Sequence, residues 1–88
     1  MLKPIRTGKF KKEFVLAEKR GKNMDRLIEV MGMIIDEKPL PPELRNHPLH
    51  GKFKGKWECH IEPDWLLIYD YDDTLVSFER TGTHSDLF

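Results

Sequence analysis

A single cysteine, Cys59, stands in a chain of 88 residues, so no intramolecular disulfide can form and no pair of thiols is present to hold a metal. Nothing here calls for an oxidising compartment. No apolar run approaches the roughly 20 residues needed to cross a bilayer, and the lysine-dotted N-terminus lacks the hydrophobic stretch of a secretory signal. The chain also has no internal repeat and no low-complexity segment. Its length bounds it to one small domain, residues 1–88, large enough for a single core but not for two, with a cytoplasmic setting as the default expectation.

Net charge is likewise absent, since fifteen Lys and Arg balance fifteen Asp and Glu. The balance hides an asymmetry. Residues 1–56 hold fourteen of the basic residues against seven acids, whereas residues 57–88 hold only Arg80 against eight acids. A basic face able to meet phosphate is one reading of that +7 half; a set of solvated helix lysines is the other.

Along the chain, Leu2 to Arg6 alternate weakly and predict a short edge strand, where Pro4 is tolerable. Thr7 is placed to cap a helix carrying Phe10, Phe14 and Ala17 on one side, and Gly21 to stop it. Asn23 caps a second helix, whose Met24, Leu27, Ile28, Met31, Ile34 and Ile35 form an apolar stripe expected to pack on a sheet. Gly32 within that stripe costs about 1 kcal/mol against alanine, which predicts close packing there. Lys38-Pro39-Leu40-Pro41-Pro42 ends the helix and opens an irregular loop running to Gly55. Within it Lys52, Phe53 and Lys54 interleave basic and aromatic groups, able to contact a phosphodiester backbone and stack a base; a solvated loop with Phe53 tucked under it is the other reading.

From Trp57 the period becomes two. Trp57, Cys59 and Ile61 share one face, and Glu58, His60 and Glu62 the other. Pro63-Asp64 marks a tight turn. Trp65 to Tyr69 then has no polar interruption, the pattern of a strand buried on both faces at the centre of a sheet. Asp72-Asp73 marks a hairpin turn, and Thr74 to Arg80 a further strand. The outline is a strand, two helices and a three-strand meander. It defines an α+β fold with both N-terminal helices on one face of a small antiparallel sheet.

Ionisable groups gather around the mouth of the buried strand: His60, Glu62 and Asp64 precede it, and His47, His50, Arg80 and His84 lie elsewhere in the chain. His47-x-x-His50 has ligand-like spacing, which His60, Asp64 or His84 could complete, but a proline-flanked loop and the missing thiols make it a weak metal signal. Each histidine alone reads better as a solvent-exposed or structurally hydrogen-bonded imidazole, and acid–base chemistry on phosphate is the second candidate for the set. Cleaving RNA needs a base for the 2′-hydroxyl, an acid for the departing 5′-oxygen and a cation for the phosphorane. Imidazole and carboxylate fit the first two roles near neutral pH and guanidinium the third. His47, His60, Asp64, Arg80 and His84 supply all of these, with no metal or other cofactor required.

Three blocks carry a resemblance: His47-Pro48-Leu49-x-Gly51, His60-Ile61-Glu62-Pro63-Asp64-Trp65-x-Leu67-Ile68-Tyr69 and Arg80-Thr81-Gly82-Thr83-His84-x-x-Leu87-Phe88. Together they resemble the YafQ branch of the RelE/ParE toxin superfamily, over nearly the whole chain. The resemblance implies a RelE-like β-α-α-β-β-β fold and a toxin of a type II toxin–antitoxin pair that cleaves translated mRNA on the ribosome. Its partners would be a cognate antitoxin, the ribosome and mRNA, with no membrane and no small-molecule cofactor. By position it makes His47, His60, Asp64 and His84 catalytic, Arg80 the phosphate-facing arginine, and Trp65 and Phe88 aromatics lining the site. Alternation places Arg80 beside Val76 and Phe78, so a twist or bulge must re-aim it if it serves. The alternative within the superfamily is a non-catalytic, gyrase-directed binding toxin, which would have no use for clustered acid–base groups.

Overall fold

Trp65 to Tyr69 are all buried, and the strand that contains them, β4 (Trp65–Tyr71), lies at the centre of a five-stranded sheet. Its alternation feeds two cores. Trp65, Leu67 and Tyr69 pack with Phe10, Leu27, Val30, Ile34 and Phe78, while Leu66 and Ile68 pack with Phe53 and Leu87 in a smaller second cluster. Both faces of one strand are therefore removed from water, which is why no polar residue interrupts it.

The computed structural model describes residues 1–88. Around β4 stand β1 (Lys3–Arg6), α1 (Gly8–Lys19), α2 (Met24–Ile35), β2 (His47–Pro48), β3 (Trp57–Glu62), β5 (Leu75–Gly82) and α3 (His84–Leu87). The sheet order is β1-β5-β4-β3-β2. The meander β3-β4-β5 is antiparallel, as expected, but β1 pairs with β5 in parallel, from Lys3 opposite Leu75 to Arg6 opposite Phe78. The sheet is thus mixed rather than wholly antiparallel. Thr7 secures the arrangement: its backbone N–H donates to Phe78 O and its hydroxyl to Glu79 O, so the chain stays beside β5 until α1 begins.

The helix caps are those the sequence predicts. Thr7 Oγ1 accepts from the Phe10 N–H at 3.0 Å and Asn23 Oδ1 from the Arg26 N–H at 3.3 Å. Gly21 follows α1 at φ 77°, a left-handed position that suits glycine. Gly32 differs from expectation. A Cβ built there meets nothing within 4 Å, so no close neighbour demands it. The segment from Lys38 to Gly55 is more ordered than a loop, with 3-10 turns at Pro42–Leu44 and Gly51–Phe53 and the short strand β2 between them. Helix α3, like β2, has no counterpart among the elements expected from the sequence. No helix of the chain is long and apolar enough to cross a membrane.

The charge asymmetry is partly consumed inside the fold. Arg20 pairs with Asp86, Lys22 with Glu62, and Lys56 with Glu79 and Asp70, each joining the basic part of the chain to the acidic part.

Three aspartates impose an acid limit on this structure. Backbone N–H groups of Thr74 and Leu75 hold the Asp72 carboxyl below its ordinary range in the β4–β5 turn. The His84 N–H and then its ring do the same for Asp64, and the Arg20 guanidinium brings Asp86 down to about 2. A depressed carboxyl contributes stability that is complete above its unfolded pKa of about 3.9 and is lost as pH falls through the folded value. The contribution of these three carboxyls to the urea midpoint should therefore be lost as pH falls below about 4. Asp72→Asn should lower the midpoint at pH 7 and flatten that acid decline; an unchanged decline would place the acid sensitivity elsewhere.

Candidate active site

The site is built by strand register first. His47 on β2 stands directly opposite Glu58 on β3, and His60 follows Glu58 by two positions on the same face. Glu58 is 5% exposed, and its Oε2 lies 2.9 Å from His47 Nε2 and 3.4 Å from His60 Nε2. A buried carboxylate without partners would be costly; here two imidazoles compensate it. His47 Nδ1 meets the Pro48 carbonyl at 3.1 Å, so both of its ring nitrogens face acceptor oxygens. Glu58 was not singled out from the sequence, although its alternation with His60 was visible there.

The second part comes from the chain's last helix. The Pro63-Asp64 turn between β3 and β4 presents the Asp64 carboxylate to the start of α3. Asp64 Oδ1 accepts both the His84 backbone N–H at 2.9 Å and His84 Nδ1 at 2.6 Å. The carboxyl is held below its usual range first by that backbone N–H and then by the ring. Asp64 is consequently a fixed acceptor that orients His84 through Nδ1 and leaves Nε2 out of that bond.

Rings connect the two parts. His47 and His60 centroids are 6.3 Å apart, His60 and His84 5.9 Å, His84 and Phe88 6.4 Å, and Phe88 and Phe53 5.4 Å. A cleft of about 540 Å³ opens beside this row, lined by Arg26, Glu43, Arg45, His60, Glu62 and His84 among others. Arg26 Nε donates to the Ile61 carbonyl at 2.8 Å, which fixes its guanidinium at the cleft.

Not every expected residue reaches the row. Trp65 is 1% exposed, and its indole N–H donates to Thr81 Oγ1 at 3.0 Å, so it is a core residue with a satisfied polar edge rather than a surface for a base. Phe53 is buried beneath Phe88, edge to face, and supports it; the exposed aromatic is Phe88. Lys52 and Lys54 are exposed on either side of Phe53. Arg80 does lie at a register shift, with Ile68 opposite Arg80 and Tyr69 opposite Phe78. Its Nε and Nη2 nevertheless bond both oxygens of Glu13 on α1 at 2.9 Å, so its charge is already met by a carboxylate. His50 stands apart, exposed before the Gly51–Phe53 turn.

The ligand-like spacing of His47 and His50 does not translate into a site. The groups close enough to share a metal are His47, Glu58 and His60, whose donor atoms lie within 4.8 Å of one another. Imidazole nitrogen and carboxylate oxygen in that number suit a transition metal with open positions.

Imidazoles oriented by carboxylates beside an exposed aromatic and an arginine-lined cleft make an acid–base site for a phosphate-bearing, stackable substrate. A family model described as the YafQ bacterial toxin of type II toxin–antitoxin systems matches residues 2–88. The chain belongs to that family. It is 47% identical over 83 residues to the mRNA interferase toxin YafQ of Escherichia coli K12, covering 93% of this chain and 90% of that protein. The toxin chain in the crystal structure of the E. coli DinJ–YafQ toxin–antitoxin complex matches with a TM-score of 0.92 at 44% identity, over 99% of this chain and 97% of that one. A metal-bound toxin from Helicobacter pylori matches with a TM-score of 0.93 at 37% identity, over the full length of both.

Proposed function

We propose that this protein is an mRNA interferase, an endoribonuclease that cuts translated messages on the ribosome and is neutralised by a cognate antitoxin. The observation that carries the reading is His84: an exposed imidazole oriented by Asp64, in ring contact with His60 on one side and Phe88 on the other. The named activity of the E. coli relative supports it, and the DinJ–YafQ assembly supports an antitoxin partner.

In the reaction, the His47–Glu58–His60 group takes the proton of a 2′-hydroxyl as that oxygen attacks the adjacent phosphorus. His84 Nε2 gives its proton to the departing 5′-oxygen, leaving a 2′,3′-cyclic phosphate and a 5′-hydroxyl. The two imidazoles flank one carboxylate, so the base is assigned to the group and not to one ring. Arg26 and Arg45 bring positive charge to the cleft, Phe88 offers a face for a base, and Lys52 and Lys54 contact the RNA backbone. A metal held by His47, Glu58 and His60 would occupy the lone pairs that base catalysis needs, and so would inhibit.

Mapping 5′ ends on a message translated with purified components tests this directly. New 5′-hydroxyl ends should appear only when ribosomes translate the message, should persist in excess chelator, and should diminish with added zinc. Arrest of growth with no new ends would favour the binding-toxin alternative. Loss of cutting in chelator, restored by metal, would make the histidine–glutamate group a catalytic metal site.

A further inference from the structure

Helix α3 has only four residues, too few to persist by its own hydrogen bonds, yet it carries His84 and leads directly to Phe88. Something outside it must hold it. Leu87 is buried in the second core, which anchors one side. The rest of the anchorage converges on Asp86. Its Oδ2 accepts the Thr83 N–H at 2.9 Å, while Thr83 Oγ1 accepts the Asp86 N–H at 3.1 Å, a reciprocal capping box. The same carboxylate receives a fork from Arg20, the residue that closes α1, at 2.7 Å and 3.4 Å. A third restraint comes from behind. A Cβ on Gly82 would lie 2.9 Å from Asp86 Oδ2 and 3.0 Å from its Cβ, so the side chain rests against bare backbone.

We propose that Arg20 is a positioning residue for His84: through Asp86 it clamps the α3 cap to the end of α1 and so sets the imidazole against Asp64 and His60. The inference rests on the proposed nuclease reading for its catalytic consequence, but not for its structural one. The Arg20 fork reaches Asp86, and its neighbours around a small cavity include Glu13, Lys22, Trp65 and Thr83. It touches neither the histidines nor the cleft that holds His60 and His84. The link is ionic on both sides throughout the working range, since Asp86 titrates only near 2. Its effect on activity is therefore constant with pH from neutral to mildly acidic conditions.

The test is Arg20→Met, which keeps much of the aliphatic stem and removes the fork, with Arg20→Lys as the conservative partner. Amide hydrogen exchange reads the clamp without any reference to activity. The N–H groups of His84, Asp86, Leu87 and Phe88 should exchange about tenfold faster in Arg20→Met, while those of β4 stay as in the wild type. In single-turnover cleavage the rate constant should fall about tenfold with the half-saturating substrate concentration within twofold, because orientation is lost and not binding. Arg20→Lys, which restores the charge to Asp86, should recover most of both losses. Unchanged exchange in α3 overturns the proposal whether or not the protein cuts RNA. So does a weakened substrate affinity at an unchanged rate, which would make Arg20 an RNA contact. If the exchange result holds and no variant or wild-type protein cleaves, the clamp stands and it is the nuclease reading that fails.

Discussion

His84→Gln is expected to fold normally and to bind translating ribosomes while cleaving about a hundredfold more slowly, or worse. Glutamine retains a side chain that can hydrogen-bond to Asp64, whose other contact, the His84 backbone N–H, does not depend on the side chain at all. What disappears is the titrating proton. The limb of the pH–rate profile that reports the acid should therefore vanish under single-turnover conditions. Arg80→Ala makes the contrast. It breaks the fork to Glu13 and removes a charge, yet leaves every titrating imidazole in place, so its limb should persist whatever the loss of rate. A His84→Gln protein with the wild-type rate and profile would show that His84 is structural and the acid lies elsewhere in the row.

The second large effect concerns Trp65, and it decides between core and site. Trp65→Ala should destabilise the fold by about 3–5 kcal/mol, because a fully buried ring is removed from the centre of the larger core. For a domain of this size that can consume most of the margin between folded and unfolded. Trp65→Phe keeps most of the packing and loses the indole N–H; Thr81 Oγ1 still donates to the Leu66 carbonyl, so the cost should be about 1 kcal/mol. Urea unfolding gives both numbers. If Trp65→Ala instead unfolds like the wild type but cleaves poorly, the ring lines the site and the burial argument is overturned.

Local patterns were readable in the sequence, and what covers them was not. Alternation correctly gave β3 a face with Glu58 and His60, but period alone does not say that β2 and His47 would bury Glu58 there. The uninterrupted run from Trp65 to Tyr69 announced a strand closed on both sides. It did not say that Leu49, Phe53 and Leu87 would supply the second cover, nor that Trp65 would turn inward with its N–H on Thr81. Arg80 and Glu13 are 67 positions apart, beyond the reach of any local rule. The direction of β1 is not written in its alternation, which is alike in either sense; its pairing with the last strand was implied by the resemblance alone. Helix α3 is a different kind of omission. Thr83-x-x-Asp86 is a capping-box spacing, and only the brevity of the segment kept it from being read as a helix start.

The parallel pairing of β1 with β5 has a consequence in time. The first strand cannot take its place until residues 75–78 exist to receive it, and the imidazole at position 84 is made later still. Such a distant pairing closes slowly and late, after the local meander and the helices. During synthesis the growing polypeptide is thus inert by construction. A message broken or a ribosome stalled before Leu75 yields a fragment that lacks β5, helix α3 and the imidazole of His84. The row of imidazoles is therefore completed only once β5 and α3 have both been made.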